Sequence, residues 1–127
     1  MTVRKNSILV IDDEPDMREI LREIFEAEGY EAVLVSNGFD AVKKASEQHF
    51  HVVFSDLVMP GMDGVETVQK IQAICKDTLY FIMTAYPSED RIEEALKTGV
   101  IKVFRKPFDI EEVLLCVSEA LKNKKKK

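Results

Sequence analysis

Four apolar segments of this chain each run into a side chain that carries a carboxylate, a hydroxyl or an ammonium group. The segment before Asp56 has the composition of a buried strand, and burying an unpaired carboxylate is costly. An acid in that place therefore needs a partner, a metal ion or a chemical role. The side chains in question are Asp12, Asp13, Asp56, Thr84 and Lys106.

The segments that must position these groups alternate between two patterns. Five short apolar runs predict strands, and each is followed by apolar residues at helical spacing. Pro15 suits the first turn of the first helix, and Gly29 suits its end. The predicted strands cover residues 7–11, 32–35, 51–55, 79–83 and 101–104; the helices cover about 15–28, 38–48, 65–74, 88–98 and 110–121.

Five strand–helix units predict an α/β fold with a doubly wound, open parallel sheet covered by helices on both faces. Five units are too few for an eight-stranded barrel. In such sheets the carboxyl ends of the strands form the ligand-binding edge. Asp12 or Asp13 alone could simply complement the N-terminus of a helix. The convergence of all the polar strand ends on one edge favours a functional site instead.

Several helix details can be predicted from local patterns. Ser88 suits the N-cap of the fourth helix, and Asp109 with Glu112 three residues later resembles a capping box. In the second helix, Phe39, Val42 and Ala45 are expected to face inward.

Composition indicates a single globular domain of 127 residues, with 46% hydrophobic and 32% charged residues. We expect a domain over residues 1–121 and a basic tail or the start of a linker over 122–127. Residues 122–127 hold five of the 18 basic residues, so the rest of the chain opposes 13 basic to 23 acidic residues, a net charge of −10. This acidic body argues against direct nucleic-acid binding.

Neither a membrane span of ~20 apolar residues nor a secretory signal is recognisable, which favours the cytoplasm. Cys75 and Cys116 match no metal-binding spacing and are expected to be reduced thiols.

The motifs together resemble the receiver domain of the two-component response regulator family. They are Asp12-Asp13, the stretch DLVMPGMDG at 56–64, Thr84-Ala85 and Lys106-Pro107-Phe108, and the resemblance covers roughly residues 6–121. It implies a flavodoxin-like (βα)5 fold with strand order 2-1-3-4-5.

The resemblance also implies a Mg²⁺ site. Asp13, Asp56 and the backbone carbonyl of Val58 correspond to the metal ligands, and Asp12 to the residue that reaches the metal through water. Hard oxygen ligands with retained waters are those that Mg²⁺ prefers.

Asp56 corresponds to the phosphoacceptor, a carboxylate nucleophile that forms an acyl phosphate. Lys106 would supply positive charge to the phosphoryl group, and Thr84 would be the hydroxyl that hydrogen-bonds it in the activated state. The implied donor is a sensor histidine kinase or a histidine phosphotransfer protein. The implied protein catalyses only its own phosphorylation and dephosphorylation, does not contact membranes, and is compatible with a phosphorylation-dependent dimer. The sequence does not identify its output domain or effector.

Three other functions remain open at this point. One is an Asp-nucleophile, Mg²⁺-dependent phosphohydrolase similar to the haloacid-dehalogenase-like enzymes. Those enzymes take both acids from one strand end two residues apart, whereas Asp12 and Asp13 are adjacent. A flavodoxin-like nucleotide module would need a phosphate-cradling loop, but residues 12–17, DDEPDM, contain no glycine. A receiver relic that no longer takes phosphate is disfavoured by the intact set of five residues.

One position departs from the family pattern. An aromatic residue usually lies three positions before the active-site lysine and turns inward on activation, but here that position is Val103. The adjacent Phe104 should face the opposite side of the strand, because side chains alternate along it. We therefore expect activation to work through the loop after the fourth strand.

Overall fold

The computed structural model describes residues 5–86 and 88–125, in which five strands and five helices alternate. The strands are β1 (Ser7–Ile11), β2 (Glu31–Val35), β3 (Val52–Asp56), β4 (Leu79–Thr84) and β5 (Lys102–Arg105). The helices are α1 (Pro15–Ala27), α2 (Gly38–Glu47), α3 (Gly64–Ile74), α4 (Glu89–Lys97) and α5 (Ile110–Lys125).

All strand pairings are parallel, and the strand order is β2-β1-β3-β4-β5. This confirms the predicted fold class and strand order. The register aligns the carboxyl ends of the inner strands, because a parallel sheet has all these ends on one edge. The pairs at this edge are Ile11 with Ser55, Asp56 with Met83, and Thr84 with Arg105.

The strand side chains alternate between two buried layers. One layer lies under α1 and α5, where the Phe54 ring stacks on Phe81 and Phe104 at centroid distances of 6.2 and 5.8 Å. The other layer lies under α2, α3 and α4 and contains Leu9 and Val53. Burying each such side chain stabilises the fold by roughly 1.5–3 kcal/mol relative to exposing it. The strands that carry the functional edge are thus held from both faces.

Helices α2, α3 and α4 each begin with a side chain that accepts a hydrogen bond from the backbone N–H three residues later. Asn37 accepts from Asp40 and Asp63 accepts from Glu66. Ser88 accepts from the Arg91 N–H, which confirms its predicted role as a cap.

The capping box predicted at the start of α5 does not form, although Asp109 still caps the helix through a different N–H. Asp109 Oδ1 accepts a hydrogen bond from the Glu111 N–H at 2.9 Å. The Glu112 carboxylate lies 3.4 Å from Nζ of Lys102 instead of closing the box. Lys102 on β5 thus pairs with the Glu112 carboxylate, which the local pattern had assigned to the helix end.

The prediction for the inward face of α2 was wrong at Phe39, whose side chain is 62% exposed. Gly38, Ala41 and Ala45 form the buried stripe instead, at the i, i+3 and i+7 positions of one helix face. Gly38 faces α3 so closely that an added Cβ would lie 2.3 Å from Thr67 Oγ1. The close approach of α2 to α3 therefore selects the small residue for the interior and turns Phe39 outward.

The C-terminal helix α5 continues to Lys125, so most of the segment expected to be a tail at 122–127 is helical. Lys126 and Lys127 lie outside the described residues. None of the helices seen in the described part of the chain has the length and apolar character to cross a membrane. Cys75 and Cys116 are both free thiols.

Candidate functional site

The ammonium group of Lys106 lies among three carboxylates at the carboxyl edge of the sheet. Its Nζ atom is 3.0 Å from Oδ2 of Asp12, 3.4 Å from Oδ2 of Asp56 and 3.7 Å from Oε1 of Glu14. The Lys106 side chain is only 10% exposed. Lys106 follows β5 directly, and its backbone N–H donates to the Thr84 carbonyl at 2.8 Å, which fixes the point at which the side chain leaves the sheet.

Asp12, Asp13 and Asp56 form the acidic side of the site, and one carboxylate oxygen of each lies within 4.8 Å of the other two. Asp12 is fully buried, Asp56 is 6% exposed and Asp13 is exposed. Asp12 is oriented by the Glu14 N–H, which donates to its Oδ1 at 2.9 Å. Within the described ranges no other group of three such side chains comes this close.

The pKa values of Asp56 and Lys106 are both raised, but for different reasons. Burial raises the pKa of Asp56 to about 6; the nearby charge of Lys106 opposes the rise, and the charge of Asp12 adds to it. Burial acts to lower the pKa of Lys106, but the hydrogen bond to Asp12 and the charges of Asp56 and Asp12 outweigh it and leave that pKa raised. Lys106 therefore stays charged at neutral pH, and Asp56 is mostly ionised there.

The acidic cluster has the chemistry of a divalent cation site. Oxygen ligands from several carboxylates, with room for water, match what Mg²⁺ requires. Two carboxylates ~4 Å apart repel each other by roughly 4 kcal/mol at an effective dielectric of ~20, which a divalent cation would relieve. The backbone N–H of Val58 acts in the direction of lowering the Asp56 pKa, against the larger effect of burial. The residues present thus fit the metal that the sequence predicted.

The turn after β3 holds Asp56 in place by close backbone packing. The Leu57 N–H donates to the Met83 carbonyl at 2.8 Å, and the Gly64 N–H donates to the Leu57 carbonyl at 2.8 Å. A Cβ on Gly64 would lie 2.3 Å from the Asp56 carbonyl oxygen. The third helix can therefore begin directly against the strand end because residue 64 is glycine.

The predicted switch residue Thr84 ends β4 and is fully buried. Its hydroxyl accepts a hydrogen bond from the Tyr86 N–H at 3.0 Å. Ala85 and Tyr86, rather than Thr84, are the residues of this loop that line the cleft above Asp56. The structure thus brings the three acids and Lys106 together, whereas Thr84 is buried and does not line the cleft.

A cleft of about 500 Å³ opens above these groups. Glu14 is a part of it that the sequence did not single out, although its place directly after two acids at a strand end was a usable signal. Tyr86 covers one side and is 73% exposed. The lining residues are Asp13, Glu14, Asp56, Val58, Met59, Pro60, Ala85, Tyr86 and Lys106.

Comparison with known proteins gives consistent matches along nearly the whole chain. A family model described as the response regulator receiver domain matches residues 8–118. Sporulation initiation phosphotransferase F of Bacillus subtilis is 36% identical over 114 residues, which cover 90% of this chain and 92% of that protein. Transcriptional regulatory protein ZraR of Klebsiella oxytoca is 38% identical over 121 residues, but these cover only 27% of that longer protein.

Solved structures with the same fold also match nearly the whole chain. A response regulator receiver domain protein (CheY-like) from Methanospirillum hungatei superposes with a TM-score of 0.93 at 24% identity, covering 97% of this chain and 98% of that one. At this identity the similarity speaks for the fold alone.

Proposed function

The chain belongs to the response regulator receiver domain family, and on this basis we propose that Asp56 accepts a phosphoryl group with Lys106 and Mg²⁺ as its helpers. The observation that carries the proposal is the position of Lys106 Nζ between Asp12 and Asp56, at 3.0 and 3.4 Å. A buried cation beside a buried carboxylate in an open cleft is suited to receive an anionic group.

In the proposed reaction a carboxylate oxygen of Asp56 attacks the phosphorus of a phosphorylated imidazole. An O–P bond forms as the P–N bond breaks, and the electron pair of the broken bond returns to the imidazole, which takes up a proton. Asp56 must be ionised to attack, and its pKa of about 6 allows this at neutral pH. Lys106 would donate hydrogen bonds to the phosphoryl oxygens as negative charge moves onto the site.

We assign the metal ligands to Asp13, Asp56 and the Val58 carbonyl, with Asp12 acting through water. When bound, Mg²⁺ would offset the charge of the acids and of the transferred group. Thr84 already accepts from the Tyr86 N–H, so its hydroxyl hydrogen remains to donate to a phosphoryl oxygen. Phosphorylation would therefore draw Thr84 toward the cleft, where its hydroxyl donates this hydrogen bond.

We further propose that the donor is a sensor histidine kinase or a histidine phosphotransfer protein in the cytoplasm. Receiver domains interact with such proteins, and some relatives carry additional domains: the chain spans about a quarter of ZraR. The protein would catalyse only its own phosphorylation and dephosphorylation, and the proposed function is compatible with a phosphorylation-dependent dimer.

Mass spectrometry after incubation with acetyl phosphate tests the phosphoacceptor. The expected result is a single added phosphoryl group in the presence of Mg²⁺, lost in Asp56→Asn and lost on chelation of the metal. An exposed acid on α1 offers a matched control, because Asp16→Asn should leave phosphate uptake unchanged. Uptake by Asp56→Asn equal to that of the parent would refute the assignment.

A further inference from the structure

Glu14 is the third carboxylate around Lys106 and differs from the other two in its surroundings. Its Oε1 lies 3.7 Å from Lys106 Nζ, yet the Glu14 side chain is 67% exposed. The other two partners of Lys106, Asp12 and Asp56, have side chains that are only 0% and 8% exposed. Glu14 therefore holds the lysine from the mouth of the cleft, while the two aspartates hold it from the floor.

Two further observations separate Glu14 from the structural and metal-binding roles around it. It occupies the N-cap position of α1 but its side chain makes no capping hydrogen bond. It also lies outside the three-carboxylate cluster of Asp12, Asp13 and Asp56. Neither the helix nor the predicted metal site requires its carboxylate, although that carboxylate lines the cleft above Asp56.

We propose that Glu14 positions the Lys106 ammonium before phosphorylation and sets the preference of the site among phosphodonors according to their charge. The inference rests on the proposed phosphoacceptor function. An entering phosphoryl group must take over the Lys106 contact that Glu14 makes, and it must pass a negative charge at the mouth. A donor with two negative charges is disfavoured more than a donor with one.

The expected size of the effect follows from Coulomb's law. A like charge about 6 Å away, in a partly exposed site, changes binding or rate by about threefold to tenfold. Salt at about 0.5 M should remove most of the effect, because the Debye length falls to a few ångström and Glu14 is largely exposed. Salt would weaken the electrostatic effects of Asp12 and Asp56 much less, because these two carboxylates are buried.

The test compares Glu14→Gln with Asp16→Asn, which removes an exposed acid from the first turn of the same helix. Phosphorylation rates are measured at neutral pH with acetyl phosphate, a dianion, and with phosphoramidate, which carries one negative charge less. Glu14→Gln should react about threefold to tenfold faster with acetyl phosphate and gain clearly less with phosphoramidate. Asp16→Asn should match the parent with both donors.

A binding measurement supplies a readout that does not depend on turnover. With Mg²⁺ present, calorimetric titration with beryllofluoride should show about threefold tighter binding to Glu14→Gln than to Asp16→Asn, and the difference should shrink in high salt. Equal values for the two variants, or equal gains with both donors, would overturn the role of Glu14 while leaving the phosphoacceptor intact. A parent protein that takes neither acetyl phosphate nor beryllofluoride would overturn the proposed function itself, and the inference with it.

Discussion

Asp56 ends a strand in which every residue is buried, and its own side chain is no exception. The cost of ionising a carboxylate there raises its pKa to about 6 from an ordinary value of 3.8. The charge of Lys106 and its hydrogen bond to Asp56 offset this cost only in part. The native protein therefore holds the Asp56 proton more tightly than the unfolded chain does, and ionised Asp56 destabilises the fold.

This gives a pH-dependent effect on stability with a defined sign. The penalty is fully present above the folded pKa of about 6, declines as pH falls from there toward 3.8, and is absent below 3.8. Without metal, Asp56→Asn should raise the free energy of unfolding by about 3 kcal/mol at pH ~7.5, because a tenfold change in proton affinity corresponds to about 1.4 kcal/mol. That gain should disappear toward pH ~4.

Urea unfolding at several pH values, with a chelator present, measures the difference. Asp16→Asn, which removes an exposed acid, should show no such gain. A gain for Asp56→Asn that stays constant across this pH range would show that its origin is packing rather than charge.

Val58 and Tyr86 lead to a second prediction at the residue scale. Both line the cleft above Asp56 and are 43% and 73% exposed. Neither side chain carries an acid or amide that could orient a water molecule for attack on an acyl phosphate, and the Tyr86 ring shields one side. The phosphoryl group should therefore be long-lived, and the double variant Val58→Asn, Tyr86→Glu should lose it about tenfold faster. Loss of phosphate from the purified phosphoproteins gives the two rates, and equal rates would exclude a role for these side chains.

Among the elements, the junction of β3 and α3 is the most tightly constrained near the site. A Cβ at position 64 would lie 2.3 Å from the Asp56 carbonyl oxygen and 2.9 Å from the Leu57 Cα. Both contacts are with backbone, so relief requires moving either the start of α3 or the end of β3. The glycine thus couples the position of a helix to the position of the proposed phosphoacceptor.

We expect Gly64→Ala to destabilise the fold by roughly 1–3 kcal/mol and to slow phosphorylation as well. Gly29→Ala is the matched control: that position has φ +91° but open space around it, so it should cost about 1 kcal/mol and leave phosphorylation unchanged. Thermal unfolding and acetyl phosphate uptake measure both. If Gly64→Ala were as active as Gly29→Ala, the close approach at residue 64 would not be what positions Asp56.

At the scale of the whole molecule, the two neighbouring residues Val103 and Phe104 of β5 lie on opposite faces of the sheet. Val103 packs into the layer under α2, α3 and α4, whereas Phe104 stacks in the opposite layer with Phe54 and Phe81. This agrees with the expectation that Phe104 cannot replace the aromatic residue missing at 103. A β-branched valine also has few side-chain rotamers to change between.

Amide shift mapping by NMR, with and without beryllofluoride and Mg²⁺, tests the consequence. Large shifts are expected at 84–86 and 88–92, where the Thr84–Tyr86 hydrogen bond and the Ser88 cap would have to change. Residues 101–104 should shift modestly. Shifts on the β5 side that equal or exceed those of the loop would mean that Val103 couples to the site by another route.

The sequence alone determined the order of strands and helices and the edge of the sheet at which the polar residues meet. Strand and helix periodicity is a local property, and a parallel sheet brings the carboxyl ends of its strands together whatever the details of packing. Asp12, Asp13, Asp56 and Lys106 could for this reason be grouped before any coordinates were known. Their roles as phosphoacceptor, metal ligands and cation remain predictions.

Only the tertiary structure decided which face of α2 is buried, which partner Glu112 takes and which third acid contacts Lys106. Phe39 turns outward because α3 approaches α2 at Gly38, and Glu112 pairs with Lys102 on the adjacent strand. Lys106 and its partner Asp12 are 94 residues apart in the chain, and Glu14 joins them only through the fold. Contacts of this kind depend on distances of a few ångström between distant segments, which no local pattern encodes.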